Sequence, residues 1–129
     1  MTIATIAARR QVDRKLAFHV ERRPHFLLVA IKGDASFDQA ELVSIQLLQI
    51  PLDGYSLVVL DLAELTWLSA LAMGALVAYR RGLWRRGIEV WLANVPAQVW
   101  LALESAGLGP SFKPMDLEQP TRPPALAVA

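Results

Sequence analysis

The fold is decided by the stretch Val58–Leu108, which reads VVLDLAELTWLSALAMGALVAYRRGLWRRGIEVWLANVPAQVWLALESAGL. Its first residues continue the apolar, largely β-branched run Leu57–Leu60, which is typical of a buried strand. Apolar residues at helical spacing then predict a long helix that begins near Ser69 or Ala70 and ends at Arg86. A strand followed by a long helix is the first half of a crossover unit.

The second half of the same stretch repeats this order. Gly87 is suited to terminate the long helix in a left-handed conformation. Alternating apolar residues then predict a strand over 88–92, and a helix is predicted from Pro96 to Ala106. Gly107 caps this last helix.

Upstream of this stretch, the sequence predicts two strands and one helix. Residues 16–21 alternate between apolar and polar, whereas Phe26–Ile31 is apolar throughout and is typical of a central strand. Ser36 and Gln39 have the spacing of a capping box, and a helix with apolar positions at helical spacing follows over 40–50. A turn at residues 22–25 joins the two strands.

These elements predict an α/β fold in the order β-β-α-β-α-β-α, with a mixed four- to five-stranded sheet and three main helices. A short final strand is expected around Ser111–Phe112. We divide the chain into a flexible N-terminal arm (1–14), one domain (15–112) and a Pro-rich mobile tail (113–129).

Composition excludes several classes of function. Hydrophobic residues make up 54% of the 129 residues, so one well-filled core is expected. Thirteen basic against twelve acidic side chains give a net charge of +1, which does not favour nucleic-acid binding. The absence of cysteine excludes disulfides and thiolate chemistry. With no apolar run of membrane length and no secretory signal pattern, we expect a soluble cytoplasmic domain without membrane insertion.

A helical projection of the long helix predicts which of its residues are buried. Leu71 falls well outside the apolar arc and is expected to face solvent, while Ala70 lies at its edge. Trp67 and Trp91 are expected to reach the surface. The arc that is predicted to face the sheet contains Ala72, Met73, Leu76, Val77, Tyr79, Leu83 and Trp84.

In these motifs the chain resembles the STAS domain, the fold named for sulfate transporters and anti-sigma-factor antagonists. The resemblance rests on Val58–Leu108 and on GDASFDQAEL, Gly33–Leu42, which is similar to the loop leading into the first helix of the family. It covers about Leu16 to Phe112 and implies a single STAS-like α/β domain.

The resemblance also bears on regulation. In bacterial regulators of this family the loop before the long helix reads Asp-Ser-Ser/Thr-Gly, and phosphorylation of a Ser or Thr there switches partner binding off. Laid onto this chain, the Asp falls on Ser69 and the usual phospho-acceptor on Ala70. The following Ser/Thr falls on Leu71 and the first glycine on Ala72, while Gly74 is retained. Ala70 has no hydroxyl to phosphorylate, so we expect constitutive binding; Ser69, a natural helix N-cap, is a weaker candidate acceptor.

The resemblance implies a non-enzymatic bacterial signalling module, an antagonist in transcription regulation that binds an anti-sigma factor or a related serine switch kinase. The partner is expected to contact the turn after the second strand, and the loop and first turn of the long helix. The predicted partner-binding residues are Gly33, Asp34, Ser36, Phe37, Trp67, Leu68, Ser69, Ala70, Leu71, Met73 and Gly74.

Two alternatives and the oligomeric state stay open. A STAS subunit could scaffold a transporter, a lipid-transport complex or a stressosome-like particle, and a homodimer is compatible with the sequence. A small-ligand or nucleotide-binding domain is the weaker alternative, because Gly107-Leu108-Gly109 lacks the lysine and following helix of a phosphate-binding loop.

No residue pattern indicates catalysis, a cofactor or a metal site. Asp61 ends a strand, where a carboxylate typically accepts hydrogen bonds from turn amides, and it does not pair with Glu64 as an acid and base. His19 and His25 have no Cys or clustered carboxylate nearby and make a poor metal site.

Overall fold

The strands and helices follow one another in the predicted order, with two short strands that differ from the prediction. The computed structural model describes residues 16–115 and residue 117. The strands are β1 (Ala17–Arg22), β2 (Leu27–Ala35), β3 (Leu57–Asp61), β4 (Leu65–Leu68), β5 (Glu89–Ala93) and β6 (Lys113–Met115). The helices are α1 (Ala40–Leu48), α2 (Ala70–Trp84) and α3 (Ala97–Ser105), with 3₁₀ turns at Phe37–Gln39 and Gly109–Ser111.

The sheet is mixed, as predicted, and has six strands rather than four to five. Its main order is β1-β2-β3-β5-β6, and β4 pairs separately with the end of β2. The hairpin β1–β2 is antiparallel, and all other pairs are parallel. Parallel pairing follows from the helices, each of which returns the chain to the opposite end of the sheet.

The two short strands correct the sequence analysis. The loop predicted before the long helix contains Leu65–Leu68, which instead forms β4, and the irregular burial of this strand hides the alternation typical of strands. Lys113–Met115 was assigned to the tail, but it pairs with β5 as β6, one residue beyond the strand expected at Ser111–Phe112. The expected arm (1–14) and the tail beyond Met115, apart from Leu117, lie outside the described residues.

The central strands bury both of their faces, because successive side chains point to opposite sides of the sheet. One face packs against the helices, and its residues include Val29, Val58, Leu60 and Leu92. The other face carries a second apolar cluster made of Phe26, Leu28, Leu57, Val59, Trp91, Ala93 and Met115, with Leu117 packed against it. Trp91, expected at the surface, is therefore buried, and that expectation was wrong.

Helix α2 has the predicted caps at both ends, but Trp84 near its C-terminus is exposed and not buried as predicted. The Ser69 side chain accepts a hydrogen bond from the Ala72 amide, which confirms its role as N-cap. At the other end Gly87 has φ 77°, and the amide of Ile88 donates to the Leu83 carbonyl at 2.9 Å, as in a Schellman motif. Trp84 was predicted in the core, but it lies in the last turn, and 62% of its surface is exposed.

The capping box expected at the start of the first helix does not form. The Ser36 hydroxyl donates to the Asp38 carboxylate at 2.8 Å, and the Gln39 amide donates to the Ser36 carbonyl at 3.0 Å. The chain therefore makes a 3₁₀ turn over Phe37–Gln39 before α1 begins at Ala40.

Among the described residues, no helix combines the length and apolarity needed to span a bilayer.

Candidate functional site

The candidate site is built on the pairing of β2 with β4. Gly33 has φ 95°, a left-handed conformation that favours glycine, and its amide donates to the Glu64 carbonyl at 3.0 Å. The Thr66 hydroxyl hydrogen bonds to the Gly33 carbonyl at 3.1 Å and to the Asp34 carboxylate. These bonds hold the turn at the end of β2 beside the segment that precedes α2, the two regions predicted to contact a partner.

An irregularity in this pairing decides which side chains face outward. Gly33 pairs with Leu65 but Asp34 pairs with Trp67, so Thr66 is an extra residue in β4. Regular alternation would place Leu65 and Trp67 on the same face. The bulge instead buries Leu65 and Leu68 and leaves Thr66 and Trp67 exposed, with Trp67 at 56%.

The first turn of α2 continues directly from β4. The Ser69 amide donates to the Ala35 carbonyl at 2.9 Å, and its hydroxyl accepts from the Ala72 amide at 3.2 Å. These bonds set the rotation of the helix, so Ala72 is buried against the sheet and Leu71 is turned outward. Leu71 is 51% exposed, which confirms the prediction from the helical projection.

The 3₁₀ turn after β2 completes the surface. Because Ala35 pairs with Leu68, the chain leaves β2 and β4 at neighbouring positions. The turn contacts α1 and α2, and Phe37 at its start is 71% exposed. We call the exposed side chains of Phe37, Trp67 and Leu71 the apolar patch. Large exposed apolar side chains gathered at one end of a domain are typical of interaction surfaces.

The predicted partner-binding residues separate into two layers. Phe37, Trp67, Ala70, Leu71 and Gly74 are exposed, and Asp34 and Ser36 are partly exposed. The remaining predicted residues are buried in the domain. These are Gly33, Leu68, Ser69 and Met73, and they support the patch from beneath.

Acidic side chains surround the apolar patch. The carboxyl ends of the parallel strands and the start of α1 lie at this end of the sheet, which we call the acidic end; its acids are Asp34, Asp38, Glu41, Asp61 and Glu64. Lys32 is the described cation here, and its Nζ atom pairs with Glu64 at 3.0 Å.

Asp61 has the structural role predicted for it. Its Oδ1 atom accepts from the Ala63 amide at 3.0 Å and from Asn94 Nδ2 at 3.2 Å. It therefore joins the turns after β3 and β5, while Glu64 pairs with Lys32. In residues 16–115, no three His, Asp or Glu side chains are grouped as a metal site would require.

Sequence reasoning missed the residues that hold the site together. Thr66 bonds β4 to β2, and Lys32 of β2 pairs with Glu64 just before β4; neither of these roles was predicted. The signal available was weak: Thr66 stands between two leucines and a tryptophan in a short segment without alternation. Its role depends on the partner strand, which lies more than thirty residues earlier in the chain.

Comparisons with known proteins agree with this geometry. The model of the family described as STAS domain matches residues 17–121. No curated protein matches the sequence significantly.

Several solved structures share the fold at low sequence identity. An anti-sigma factor antagonist from Mycobacterium paratuberculosis is similar with a TM-score of 0.68 and 16% identity, over 78% of this chain and 86% of that one. The anti-sigma factor antagonist SpoIIAA in its unphosphorylated form has a TM-score of 0.61 and 18% identity, over 78% and 87%. A SulP transporter STAS domain from Vibrio cholerae has a TM-score of 0.56 and 19% identity, over 76% and 79%.

Proposed function

The chain belongs to the STAS domain family, and on that premise we propose that it is a non-enzymatic module whose apolar patch binds an anti-sigma factor or a related serine kinase. The observation that carries the proposal is the exposure of Leu71 in the first turn of α2, beside Trp67. Two of the similar structures are those of anti-sigma factor antagonists. The proposal includes a cytoplasmic location and a role in transcription regulation.

The patch has the physical properties of a binding hot spot. Large apolar side chains bind a partner well when they are held rigidly before binding, because little conformational entropy is then lost. Trp67 is fixed by a strand of the sheet, and Leu71 by a capped helical turn over buried Leu68 and Met73. The acids around the patch favour a partner with basic residues at the rim of its own apolar surface.

We further propose that binding does not depend on phosphorylation at the position that the family commonly uses. Ala70 occupies that position, is exposed, and carries no hydroxyl. The neighbouring Ser69 hydroxyl is buried and accepts the Ala72 amide, so a kinase would have to open the first turn to reach it. A neutral surface at this place favours constitutive binding, because no doubly charged phosphate has to be desolvated in the complex.

The test compares two exposed leucines. Tagged wild-type protein is used to capture its partner from cells of the source organism, and the purified pair is then measured by calorimetry. Leu71→Asp is expected to weaken binding by roughly 30-fold or more, since it places a charge in the centre of the interface. Leu101→Asp is the matched control, because Leu101 is exposed to a comparable extent, 62% against 51% for Leu71, but lies on α3.

Two results would contradict the proposal. Full binding by Leu71→Asp would show that the partner uses another surface. Stoichiometric phosphate on residues 69–72, detected by intact mass after incubation with the captured kinase and ATP, would overturn constitutive binding.

A second candidate function is a subunit that scaffolds a transporter, a lipid-transport complex or a stressosome-like particle. It is favoured by the similarity to a SulP transporter STAS domain and to a sulfate transporter family protein from Wolinella succinogenes, with a TM-score of 0.60 and 20% identity. The identity of the captured partner separates the two: a serine kinase or anti-sigma factor supports the first, a transporter subunit the second. Neighbouring genes provide the same discrimination.

A further inference from the structure

The end of the domain opposite the apolar patch is basic. Here lie the turns that precede the parallel strands, and the C-terminal ends of all three helices. We call it the basic end; its cations are Arg22, Arg23, Arg80, Arg81, Arg85, Arg86 and Lys113.

The arginines of α2 and its following turn carry most of the uncompensated charge at this end. Arg22 pairs with Asp53 at 3.0 Å, Arg23 with Glu21, and Lys113 with Glu89 at 3.6 Å. The arginines between Tyr79 and Gly87 make no ion pair with another described residue. Positive charge is stable there because the C-terminal end of a helix is the negative end of its dipole.

Trp84 stands among these arginines. On a helical projection it falls at the margin of the buried arc, between Arg80 and Arg81. Because it belongs to the last turn of α2, its indole is exposed while Leu83 beside it is buried. Leu48, the last residue of α1, is 74% exposed at the same end of the domain. The basic end therefore combines cations with two exposed apolar side chains.

A small cavity opens beside this tryptophan. Its volume is about 110 Å³, and Arg80, Trp84, Trp91, Ser111 and Lys113 line it together with Glu89. A water molecule takes about 30 Å³ in the liquid, so the cavity has room for a group the size of a phosphate. Glu89 pairs with Lys113 and accepts from Trp91 Nε1 at 3.2 Å, which leaves the Arg80 guanidinium to bind an anion there.

We propose that the basic end binds the surface of an anionic phospholipid bilayer. Trp84 enters the headgroup region, Arg81, Arg85 and Arg86 lie against lipid phosphates, and the cavity beside Arg80 holds one headgroup phosphate. Tryptophan prefers the interface between headgroups and acyl chains, and clustered basic residues bind anionic leaflets.

The same surface fits other anionic partners less well. Duplex DNA binding normally draws on a strong basic excess, whereas this chain has a net charge of +1. The exposed Trp84 and Leu48 gain nothing from a phosphate backbone, but they are buried when a lipid headgroup region covers them. Bound in this way, the domain presents its apolar patch away from the bilayer, so a protein partner and a membrane can bind together.

The experiment uses the full chain and lipid vesicles. Vesicles of phosphatidylcholine alone are compared with vesicles that also contain phosphatidylglycerol, by co-sedimentation at low and at high salt. We expect binding to the anionic vesicles only, loss of binding at high salt, and a blue shift of tryptophan fluorescence. The double variant Arg81→Glu/Arg85→Glu is expected to bind roughly 30-fold more weakly or worse, since each cation near an anionic leaflet contributes about fivefold.

Two further variants separate the indole from the charge. Trp84→Phe is expected to keep most of the binding but to lose the blue shift, and Trp84→Ala to bind roughly tenfold more weakly. Leu71→Asp, at the acidic end, and Leu101→Asp, on α3, are expected to bind vesicles as the wild type does. Because Leu71→Asp is expected to weaken only the protein interaction, failure of this proposal is distinguishable from failure of the proposed function.

Several outcomes would overturn the proposal. If the wild type binds neutral vesicles as well as anionic ones, the arginines do not recognise anionic lipid. The same conclusion follows if the double variant binds anionic vesicles as the wild type does. Binding of duplex DNA in the absence of vesicle binding would assign the surface to nucleic acid. Release from the vesicles by millimolar inorganic phosphate, at constant ionic strength, would assign the cavity to a free anion.

Discussion

The two ends of α2 each have an exposed tryptophan, and the surroundings of the two indoles are opposite. Trp67 lies in β4, just before the helix, with Asp34 and Glu64 close to it in the β2–β4 pairing. Trp84 lies in the last turn, between Arg80 and Arg81 on the helical projection. Both ends expose large apolar side chains, so charge is what distinguishes the partner that each end is suited to bind.

The two indoles also differ in how they are supported. Trp67 is fixed by a strand whose register is locked by the bonds of Thr66, and Leu65 and Leu68 on either side of the Thr66–Trp67 pair are buried. Trp84 is fixed only by the end of a helix that terminates at Gly87. A rigid support suits a specific protein contact, whereas a membrane surface requires no exact fit.

The largest expected effect tests the support under Trp67. Leu68→Ala removes a buried side chain and leaves a cavity, so we expect the free energy of unfolding to fall by about 3 kcal/mol. Urea denaturation measures this loss. The neighbouring Trp67→Ala removes an exposed side chain and is expected to change stability by about 0.5 kcal/mol or less. Similar losses for both variants would contradict the division into two layers.

The next largest effect compares the contributions of the two tryptophans to partner binding and to vesicle binding. Trp67→Ala is expected to weaken binding of the protein partner by about 2 kcal/mol, because a central aromatic side chain is lost, and to leave vesicle binding unchanged. Trp84→Ala is expected to do the reverse. Calorimetry with the partner and co-sedimentation with anionic vesicles measure the two affinities. If either variant lowers both affinities, the two ends are coupled and the comparison fails.

A smaller effect concerns the cap that orients the acidic end of α2. Ser69→Ala removes the acceptor of the Ala72 amide, and we expect a loss of about 1 kcal/mol in the free energy of unfolding. Ser69→Gly is the control, because glycine at an N-cap costs only a few tenths of a kcal/mol. Thermal or urea unfolding distinguishes them. Equal stability of Ser69→Ala and wild type would show that the hydroxyl is not needed as a cap.

The smallest effect at neutral pH concerns a buried hydroxyl between the two ends. The Tyr79 hydroxyl is buried and makes no hydrogen bond to a described residue. Burial raises the pKa of Tyr79 from 10.0 to about 12, while the nearby Arg86 lowers it by a smaller amount. At neutral pH, Tyr79→Phe is expected to be neutral or to stabilise the protein by about 1 kcal/mol or less, since no hydrogen bond is lost.

The pH dependence of stability gives the same residue a second test. Below pH 10.0 the hydroxyl is protonated in both states; between pH 10.0 and about 12 the unfolded chain loses its proton first. Wild-type stability is therefore expected to fall by about 1.4 kcal/mol per pH unit in this window because of Tyr79. Tyr79→Phe lacks this contribution, and urea denaturation across the window measures the difference. Parallel curves for the two proteins would contradict the raised pKa.

Much of the fold was predictable because its signals are local. The apolar runs of β2 and β3, the helical spacing in α2 and the caps at Ser69 and Gly87 are all read within one or two turns of chain. The exposure of Leu71 follows from the same local periodicity. The site was predictable only in part, because it joins two segments that lie far apart in the sequence.

The failures share a physical cause. Trp84 and Trp91 were misplaced because burial depends on what covers a position: the last turn of α2 leaves Trp84 open, and the second face of the sheet encloses Trp91. Strand β4 was missed because its bulge removes the alternation on which strand prediction depends. Leu68 and Met73 were predicted to contact a partner because they are close to Leu71 in the sequence. Both are buried, since sequence proximity does not determine which way a side chain faces.

The sequence by itself determined the order of the main elements and the family, and it places an alanine, Ala70, at the start of α2. Those properties depend on residue identity and local spacing. Only the tertiary structure decided that Phe37, Trp67 and Leu71 form one patch, and that the acids and the arginines gather at opposite ends. Parallel crossovers bring the carboxyl ends of the strands to one side of the sheet, and residues distant in the chain then meet in space.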